Sequence, residues 1–379
     1  MKLLGSLAFV VALLLSVMFH ELGHYLTARK FGMKVTEFFL GFGKRIWSFR
    51  KGETEYGIKA IPAGGYCRIE GMTPRDEMPE GEESRAFIKA SSLKKLIVLG
   101  AGSFNHLVVG FLLLFVFFFG IGYSAPTSTI DVVTQSSAAE AAGIKSGDRI
   151  TAINSQEIVE WADVVAIISK SQGEPLQITI ERGSTSQTIS ATPTYAQEYD
   201  RYLLGITSDF QPKKEGFVTS LSNAGTSTWS LIKASASSMV HLPQKLPDLF
   251  RQTFMGEKRD AEGLVGVVGA ARVSGDVVAS DLLDANESLG AFVLMVASLN
   301  IFVALFNLLP ILPLDGGHMA VAIADEVRAL FARIRRRPRP APIDVNVLTP
   351  ITMIVFVGLT ALTVLLLIAD IFNPISLNL

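Results

Sequence analysis

The sequence predicts an α-helical integral membrane protein with four transmembrane helices and one β-rich α+β domain outside the membrane. Of its 379 residues, 49% are hydrophobic, and its mean hydropathy is +0.39, which is high for a soluble protein. The apolar residues are concentrated in four stretches, and a long, more polar segment lies between the second and third. The single cysteine, Cys67, excludes an intramolecular disulfide and a cysteine-rich zinc site. A formal net charge of -1 excludes a chain that binds polyanions along its whole length.

Each apolar stretch is long enough to cross a bilayer, whose hydrocarbon core of about 30 Å takes roughly 20 helical residues. The first stretch follows Lys2 and could be interpreted as a signal peptide. No small-residue cleavage site follows it, so we interpret it as a span. The four predicted spans run from Leu3 to about His24, from Leu96 to Tyr123, from Leu289 to about Pro310 and from Pro350 to about Ile371.

Basic residues predict how the spans are oriented in the membrane, because Lys and Arg are concentrated in cytoplasmic loops. We expect segments 25–95 and 325–348 on the cytoplasmic side, with both termini and the β-rich domain outside. The basic run at 328–339 is interpreted as a topology anchor that touches anionic lipid, rather than as a nucleic-acid patch. The residues behind this prediction are Arg29, Lys30, Lys34, Lys94, Lys95 and the arginines of "RALFARIRRRPRPAP".

The segment between the second and third spans has the pattern of a small β domain. In "SSAAEAAGIKSGDRITAINSQEIVEWADVVAIISK" and "EPLQITIERGSTSQTISATPT", apolar residues alternate in short strands around one helical stretch at 161–170, with turn signals at Gly143 and Gly147-Asp148. Residues 124–209 closely resemble a PDZ domain of the bacterial protease type, which holds an extended peptide against a strand edge and a helix. Two alternatives stay open: the groove binds peptide C-termini, or the domain is a steric shield that acts as a size filter.

A second polar region follows this domain and contains the stretch "TSTWSLIKASASSMVHLPQKLPDLFRQTF", which we expect to be amphipathic and broken by Pro243 and Pro247. Its apolar side chains lie on the outer membrane surface or pack against the spans. We interpret His241 as a solvated or interfacial histidine. The apolar residues are Trp229, Leu231, Ile232, Met239, Leu246, Leu249 and Phe250. The predicted regions are a membrane part at 1–123, the PDZ domain at 124–210, an extracytoplasmic linker at 211–285 and a second membrane part at 286–379.

The motif "FHELGHY" ends the first span. In a helix, His20 and His24 leave the same face about one turn apart, which suits two neighbouring ligands of a tetrahedral Zn²⁺. Glu21 lies beside them and can take a proton from water, whose pKa falls towards about 7 when it binds zinc. Because the motif is short, the alternative is a helix end with hydrogen-bonded histidines.

A candidate third ligand, Asp315, lies in "LNIFVALFNLLPILPLDGGHMAVAI", near the third span. Pro310 and Pro313 break the helix, and the two glycines that follow Asp315 allow close backbone approach. Non-helical backbone at this depth is tolerated only where it is buried or lines a wet cavity. A catalytic zinc needs three protein ligands and one open position, and Asp315 completes that set. The alternative is a buried, hydrogen-bonded aspartate.

These motifs together resemble the site-2 proteases, zinc metalloproteases that cut inside membranes. HELGH at 20–24 matches the family's HExxH motif, and "NLLPILPLDGGH" at 307–318 matches its Asn-to-LDG motif. "GFGKRIWSFRKGETEYGIKAIPAGGYCRIEGM" at 41–72 matches its membrane-associated loop. The resemblance covers nearly the whole chain. The single PDZ insert, the GETEY loop and the LDGGH ending are most similar to the actinobacterial type of regulated intramembrane protease.

The resemblance implies that His20, His24 and Asp315 bind one Zn²⁺ per chain and that Glu21 is the general base. It also implies that Asn307 contacts the substrate backbone. The sequence departs from the family in two places: the second proline is one position later, at Pro313, and "GAGSFNHL" lacks a Gly-Pro pair before Asn105. The expected substrate-binding residues are Asn307, Asn105, Pro310, Gly64 and Gly65. His106 and His318 are rival candidates that either reach the metal or hydrogen-bond to its ligands.

The membrane-associated loop addresses a physical requirement of the reaction. A transmembrane substrate hides its peptide carbonyls in helical hydrogen bonds, so it must be unwound before it is cut, and extended backbone in lipid needs new partners. We interpret "TEYGIKAIP" and "GGYCRIEGM" as strands of a re-entrant hairpin whose edge pairs with the substrate. The alternative is an ordinary cytoplasmic hairpin. Cys67 and Met72 are interpreted as packing residues.

The function implied by the resemblance is zinc-dependent intramembrane endoproteolysis in the bacterial plasma membrane. The expected substrates are single-span proteins already shortened by another protease, such as anti-sigma factors, and remnant signal peptides; no nucleic-acid partner is expected. Two other classes were weighed. A non-catalytic PDZ membrane scaffold is disfavoured by the intact HExxH with Asp315, and a zinc transporter is disfavoured because the sequence shows no repeated halves.

Overall fold

The structure is a computed structural model that describes residues 1–72, 76, 78–260 and 263–375. Parts of the predicted 25–95 and 211–285 segments and the end of the 286–379 region therefore lie outside the described residues. The chain divides into two compact units, which are described separately. Unit 1 comprises Met1–Ile121 and Glu215–Leu379, and unit 2 comprises Gly122–Lys214.

The helices of both units are numbered in chain order. They are α1 (Lys2–Lys30), α2 (Ser92–Val116, continued by a π-helical segment Phe117–Ile121), α3 (Ala138–Ala141), α4 (Trp161–Lys170), α5 (Phe217–Phe254), α6 (Val267–Val278), α7 (Ala285–Asn307), α8 (Asp315–Ile334) and α9 (Thr349–Phe372). Short 3₁₀ helices occur at Glu83–Arg85, Phe87–Lys89 and Val345–Leu348. Four helical stretches of unit 1 are long and apolar enough to cross a membrane, which confirms the four predicted spans: Lys2–Lys30, Ser92–Ile121, Ala285–Asn307 and Val345–Phe372.

The strands are likewise numbered in chain order. They are β1 (Val35–Lys51), β2 (Thr54–Ile69), β3 (Tyr123–Val133), β4 (Arg149–Ile153), β5 (Gln156–Glu157), β6 (Leu176–Arg182), β7 (Thr185–Ala191), β8 (Thr194–Ala196), β9 (Arg201–Leu203) and β10 (Ile206–Lys213). β1 and β2 belong to unit 1, and the other strands belong to unit 2.

The spans of unit 1 pack closely at positions where a glycine of one helix contacts the neighbouring helix. A Cβ at Gly23 of α1 would lie 2.5 Å from the Ala101 carbonyl oxygen of α2. A Cβ at Gly110 of α2 would lie 2.7 Å from the Ile301 side chain of α7. Helices pack in this way in membranes because small residues let the backbones approach closely. The site is therefore built around close contacts of α1, α2 and α7.

Helix α5 is continuous where the sequence predicted a break. The stretch that was expected to break at Pro243 and Pro247 is a single helix of 38 residues that contains both prolines. Each proline removes one backbone donor, which costs stability but does not end a helix whose faces are held by packing. α5 packs against α2, α7 and α9, and these contacts offset the lost hydrogen bonds. Leu231 and Ile232 join an apolar cluster with Leu114 and Ile301, whereas Trp229 is exposed.

The β segment of unit 1 also differs from the expected hairpin. Both predicted strands form, but they belong to one continuous strand, β2, and pair with β1 instead of with each other. Residues 45–51 pair with 54–59, while residues 37–40 lie beside both 55–58 and 65–68. Gly41 and Gly43 have positive φ angles of 86° and 83°, which allow β1 to bend between its two paired segments, residues 37–40 and 45–51.

Unit 2 is a β domain with an isoleucine-rich core. Its main sheet has the strand order β10-β3-β4-β6-β7, with β5 paired to β4, and β8 and β9 form a separate two-stranded sheet. The predicted helix at 161–170 is confirmed as α4, whose N-terminus is closed by a capping box between Glu160 and Asp163. A cavity of about 680 Å³ lies between α4 and the β9–β10 region, lined in part by Val164, Ile168, Leu203 and Gly205.

In unit 2, an ion pair between the buried carboxylate of Asp148 and the partly exposed Arg182 fixes the turn before β4. Arg182 donates from Nε and Nη2 to the two carboxylate oxygens of Asp148, at 2.7 and 2.8 Å, and the Lys145 backbone N–H donates to the same carboxylate at 2.8 Å. Burial by itself would raise the pKa of Asp148, but the Arg182 guanidinium and the Lys145 amide together hold that pKa below its usual range.

A fully buried ion pair between Arg259 and Asp370 holds the end of α9 in place. Asp370 accepts from the Gly269 backbone N–H at 2.7 Å and from Arg259 Nη2 at 3.2 Å. Arg259 also donates to the Leu264 carbonyl and, at 3.3 Å, to the Asn373 carbonyl. Asp370 and its neighbour Ala369 are the buried residues of α9, and the rest of that helix is half-buried or exposed.

Candidate metal centre

His20, His24 and Asp315 come together in unit 1, although Asp315 is far from the histidines in sequence. His20 Nε2 and His24 Nε2 lie 3.0 Å apart. Asp315 Oδ2 lies 3.1 Å from His20 Nε2 and 3.4 Å from His24 Nε2. Both histidines are buried, and the Asp315 side chain is about one-fifth exposed. Three ligand atoms thus form a nearly equilateral triangle.

Helix geometry and the close backbone approach at Gly316 produce this triangle. His20 and His24 are four residues apart in α1, so their side chains lie on one face. α7 ends at Asn307, and α8 begins at Asp315, as expected from Pro310 and Pro313. A Cβ at Gly316 would overlap the Leu308 and Leu309 carbonyls. The start of α8 is therefore pressed against the loop before it, which fixes where the Asp315 carboxylate lies.

The donor set suits zinc. Two imidazole nitrogens and one carboxylate oxygen are common ligands of catalytic zinc, with bonds of about 2.0–2.2 Å. Tetrahedral geometry at such distances separates the ligand atoms by about 3.3 Å, and the observed separations of 3.0, 3.1 and 3.4 Å are close to that value. Among the described residues, these three form the group of His, Cys, Asp or Glu side chains able to hold a metal.

The second ring nitrogen of His24 is held by the neighbouring span. His24 Nδ1 lies 2.7 Å from the Val98 carbonyl oxygen of α2. A carbonyl only accepts, so Nδ1 carries the proton, and the Nε2 lone pair faces the Asp315 carboxylate and the metal position. This is the arrangement that a zinc-binding histidine requires.

His20 has a different surrounding. Its Nδ1 is buried and has no hydrogen-bond partner among the described residues. The ring of His106 lies 5.0 Å from the ring of His20, between centroids. His106 Nδ1 lies 2.8 Å from Asn300 Oδ1, and Asn300 Nδ2 donates to Ser16 Oγ at 3.0 Å and to the Val296 carbonyl at 2.8 Å. A buried polar chain from α1, α2 and α7 therefore ends beside His20.

Gly102 of α2 is part of the site, and the sequence analysis missed it. A Cβ at this position would lie 2.5 Å from His20 Cε1 and 2.5 Å from His24 Nε2. Both imidazoles therefore pack directly against the α2 backbone. By contrast, a Cβ at Gly100 would have its nearest neighbour, Met319, at 3.8 Å. Nothing in the local sequence separates these two glycines, because the distinction depends on the partner helix.

Glu21 follows His20 on α1, and its carboxylate lies near the Cys67 backbone N–H of β2. A Cβ at Gly65, two residues earlier in β2, would lie 2.9 Å from Met18 Sδ. The last part of β2 therefore runs beside α1 at the level of the metal ligands. Cys67 and Met72 pack against the apolar cluster around Tyr25.

The other predicted site residues have more varied positions. Asn105 donates from Nδ2 to the Phe19 carbonyl of α1 at 2.7 Å, so this amide contacts the residue before His20. Asn307 is the half-buried last residue of α7, and Pro310 is exposed in the following loop. His106 and His318 are not in the group of metal-ligating atoms found among the described residues.

An apolar cavity of about 500 Å³ borders the loop that leads to Asp315. Its walls come from α5, from the end of α7 with the following loop, and from α9. They consist of Ala236, Met239, Val240, Leu242, Pro243, Leu305, Phe306, Leu308, Leu309, Ile311, Leu314, Val355 and Leu359. An apolar space thus lies next to the loop that carries the third ligand.

Two histidines one helical turn apart, joined by an aspartate among membrane-spanning helices, define a membrane-embedded metalloprotease-type site. Comparison with known proteins agrees, since residues 8–357 match the profile of peptidase family M50. The chain belongs to this family, the site-2 proteases.

Relatives named zinc metalloprotease Rip1 come from three species. The chain is 32% identical over 410 aligned residues to those of Mycobacterium bovis and Mycobacterium tuberculosis, with 98% of each chain covered. It is also 32% identical over 410 residues to that of Mycolicibacterium smegmatis, with 99% of this chain and 98% of the relative covered. The protein is therefore a zinc metalloendopeptidase carried on a membrane-spanning chain.

Proposed function

We propose that His20, His24 and Asp315 hold the catalytic zinc and that Glu21 is the general base of intramembrane peptide hydrolysis. The observation that carries this proposal is the triangle of ligand atoms, with sides of 3.0, 3.1 and 3.4 Å, on the helix that also carries Glu21. Zinc bound there supplies Lewis acidity, which polarises a peptide carbonyl and acidifies water. The chain provides three ligands and so leaves a fourth position for reactants.

The residues around the site have separate roles in this proposal. Glu21 accepts a proton from the attacking water and delivers it to the leaving amine. The nearby Cys67 N–H is proposed to orient the Glu21 carboxylate. Val98 keeps His24 in the tautomer that binds metal. Gly102 leaves room for both imidazoles.

We further propose that the substrate is held in extended form between β2 and the loop before α8. Support comes from the position of β2, whose residues 65–69 pair with β1 on one side and pass α1 on the other. Gly64 and Gly65 keep this part of β2 free of bulky side chains. Asn105, Asn307 and Pro310 are proposed to contact the substrate backbone. This would make residues 54–69 a re-entrant element that adds a strand to the unwound substrate.

The proposed substrates are single-span membrane proteins that another protease has already shortened, such as anti-sigma factors, and remnant signal peptides. The apolar cavity beside the loop at 308–314 supports a substrate whose side chains are apolar. The basic residues near the spans support an arrangement with segments 25–95 and 325–348 cytoplasmic, and with unit 2 and both termini outside a bacterial plasma membrane.

We propose that unit 2 is a PDZ domain, within predicted boundaries of 124–210. Its sheet, the helix α4 and the cavity of about 680 Å³ beside that helix support this assignment. Two roles follow: the cavity binds the C-terminus that the first protease exposes, or unit 2 excludes untrimmed ectodomains. Cleavage of a trimmed substrate whose last residue is changed to Asp would distinguish them, because only peptide binding depends on that side chain.

The test of the catalytic proposal uses full-length protein in zinc-containing liposomes with a pre-trimmed, single-span substrate of the anti-sigma-factor type. Release of its cytoplasmic fragment is followed for wild type and Glu21→Gln, with exposed Glu157→Gln of unit 2 as the control. We expect Glu21→Gln to be slower by about 100- to 10,000-fold, the usual contribution of general acid-base catalysis. Zinc content should stay at one per chain.

Equal rates for wild type and Glu21→Gln would contradict the role of Glu21. If His20→Ala or Asp315→Ala retained a full equivalent of zinc, the ligand assignment would be wrong. If wild type bound zinc at these residues but released no fragment, the substrate class would be wrong while the metal site would stand.

A further inference from the structure

Helix α8 carries an exposed apolar stripe that the proposed proteolysis does not use. Five large apolar side chains, each 45–67% exposed, occur within twelve residues. Four of them are spaced by four, three and four residues and so lie on one helical face, with the fifth at its border. They are Ile323, Val327, Leu330, Ile334 and, at the border, Phe331. The opposite side packs inward through buried Ala322 and Ala332.

Arginines flank this stripe on both sides. Arg328 donates to Asp325 at 3.1 Å, and Arg339 donates to Glu326 at 2.6 Å, so these two are neutralised within the chain. The side chains of the other four arginines of this region are exposed, and these guanidinium groups make no ion pair or hydrogen bond with another described residue. They are Arg333, Arg335, Arg336 and Arg337. These four positive charges are therefore available to bind an anionic partner.

Two hollows at the C-terminal end of α8 gather these arginines. One, of about 440 Å³, is lined by Arg328, Arg335 and Arg337 together with Phe331 and two prolines. The other, of about 520 Å³, is lined by Arg333, Arg336, Arg337 and Arg339 together with Leu330 and Glu326. In each hollow, guanidinium groups adjoin a side chain of the apolar stripe. Arginine forks match phosphate oxygens, and the adjoining apolar side chains match acyl chains.

We propose that the C-terminal part of α8 is a binding site for anionic phospholipids. Headgroup phosphates occupy the two arginine-lined hollows, and the stripe from Ile323 to Ile334 lies among the upper acyl chains. Charge complementarity and position both favour lipid as the occupant. α8 lies in the chain between two helices that are long and apolar enough to span a membrane, α7 and α9, which keeps it close to the bilayer.

The site has a consequence for the metal centre because one helix carries both. α8 begins at Asp315 and ends at Ile334, so the lipid-binding end and the metal-ligand end belong to one rigid element. Lipid held at the C-terminal end restricts the tilt of α8 and thereby the position of the Asp315 carboxylate. This interaction surface is separate from the proposed substrate path and can exist whether or not the proposed catalytic roles are correct.

The first test is lipid binding by the full-length protein in detergent, measured by native mass spectrometry. Phosphatidylglycerol is compared with phosphatidylcholine of the same acyl chains. The test variant changes Arg333, Arg335, Arg336 and Arg337 to Gln, and a rescue variant changes them to Lys. A control variant changes four exposed basic residues of unit 2 to Gln: Lys145, Lys170, Arg201 and Lys214.

We expect wild type to bind phosphatidylglycerol at least tenfold more tightly than phosphatidylcholine. The Gln variant should lose at least tenfold of that affinity, since each basic residue near an anionic surface contributes a factor of about five. The control variant should stay within about threefold of wild type, and the Lys variant should lose less affinity than the Gln variant, because it keeps the four charges without the planar guanidinium geometry. Inorganic phosphate at millimolar concentration should not displace the lipid, because it cannot contact the apolar stripe.

The second test locates the stripe. A fluorophore is placed at Val327→Cys in a Cys67→Ser background, in liposomes that contain phosphatidylglycerol, and Val159→Cys in unit 2, which is 79% exposed, is the control. Brominated lipid should quench the label at 327 and iodide should quench the label at 159. Equal binding of both lipids, equal loss in the Lys and Gln variants, or iodide quenching at 327 would overturn the proposal. So would shielding at 327 that requires a dimer, because the occupant would then be a second copy of the chain.

Discussion

The surroundings of the metal centre in unit 1 and the core of unit 2 are held together by different interactions. Unit 2 encloses fully buried isoleucines, among them Ile150, Ile178 and Ile180. The metal centre instead depends on the bare backbone of Gly102 and on the buried amide of Asn300. The hydrophobic effect stabilises the core of unit 2, because its apolar side chains are removed from water. It does not drive helices together in a membrane, because lipid tails are as apolar as leucine. Close packing and polar contacts must then specify how membrane helices meet.

The strongest test of this contrast adds one methyl group at the metal centre. Gly102→Ala places a Cβ 2.5 Å from both imidazoles, so His20 and His24 must move. We expect zinc affinity to fall by about 100-fold or more, the upper range for changes that misplace metal ligands. The measurement is zinc retention against a chelator in purified full-length protein. Gly100→Ala, where the nearest neighbour is 3.8 Å away, is the matched control and should retain zinc. Equal retention in the two variants would show that the imidazoles do not rest on α2.

The corresponding test in unit 2 removes apolar volume. Ile178 is fully buried in β6, and Ile178→Ala should lower the free energy of unfolding of unit 2 by about 2–5 kcal/mol. Trp161 reports on this unit in a background where Trp47 and Trp229 are changed to Phe, so denaturant unfolding can be followed by its fluorescence. Val159→Ala, at a 79% exposed position, should change little. Zinc retention should match wild type; a loss would mean that the two units do not rely on separate interactions.

A third test removes a polar contact near the metal. Asn300→Ala leaves His106 Nδ1 and Ser16 Oγ without their partner, which should cost about 1–3 kcal/mol of stability. Because His106 lies beside His20, we expect zinc to be released about tenfold faster. Ser298→Ala, whose hydroxyl donates only within its own helix to the Leu294 carbonyl, is the control. Unchanged zinc release in Asn300→Ala would limit this polar chain to a packing role.

The smallest expected effect is a pH dependence in unit 2. The pKa of Asp148 is below its unfolded value of about 3.9, so its ionised form stabilises the fold above that pH, and this contribution is lost as pH falls through the folded pKa. Arg182→Gln should therefore reduce stability at pH 6 and approach wild type near pH 3. Trp161 fluorescence in the background described above measures both. A difference that grew at low pH would contradict the assigned pKa direction.

Local patterns predicted the spans, the helix at 161–170 and the grouping of Asp315 with the two histidines of α1. Each prediction follows from residue spacing, proline positions or alternation within a short window. The prediction for Asp315 also used the Asn-to-LDG motif of the family. Gly102, Asn300 and Ser16 could not be found in this way, because their roles depend on which helices meet in space. The continuous α5 and the pairing of β2 with β1 were missed for a related reason: tertiary contacts outweighed the local signals of Pro243, Pro247 and the turn glycines.

The buried pair of Asp370 and Arg259 has a mechanical consequence for the last span. It pins one end of α9 to the backbone at Gly269, while most of the remaining helix touches little protein. Positions of a helix that lie far from such a contact can move more than positions beside it. Val355 and Leu359, which form part of the wall of the apolar cavity beside the Asp315 loop, are more than ten residues from that pin. We therefore expect the volume of that cavity to respond to bilayer thickness and lateral pressure.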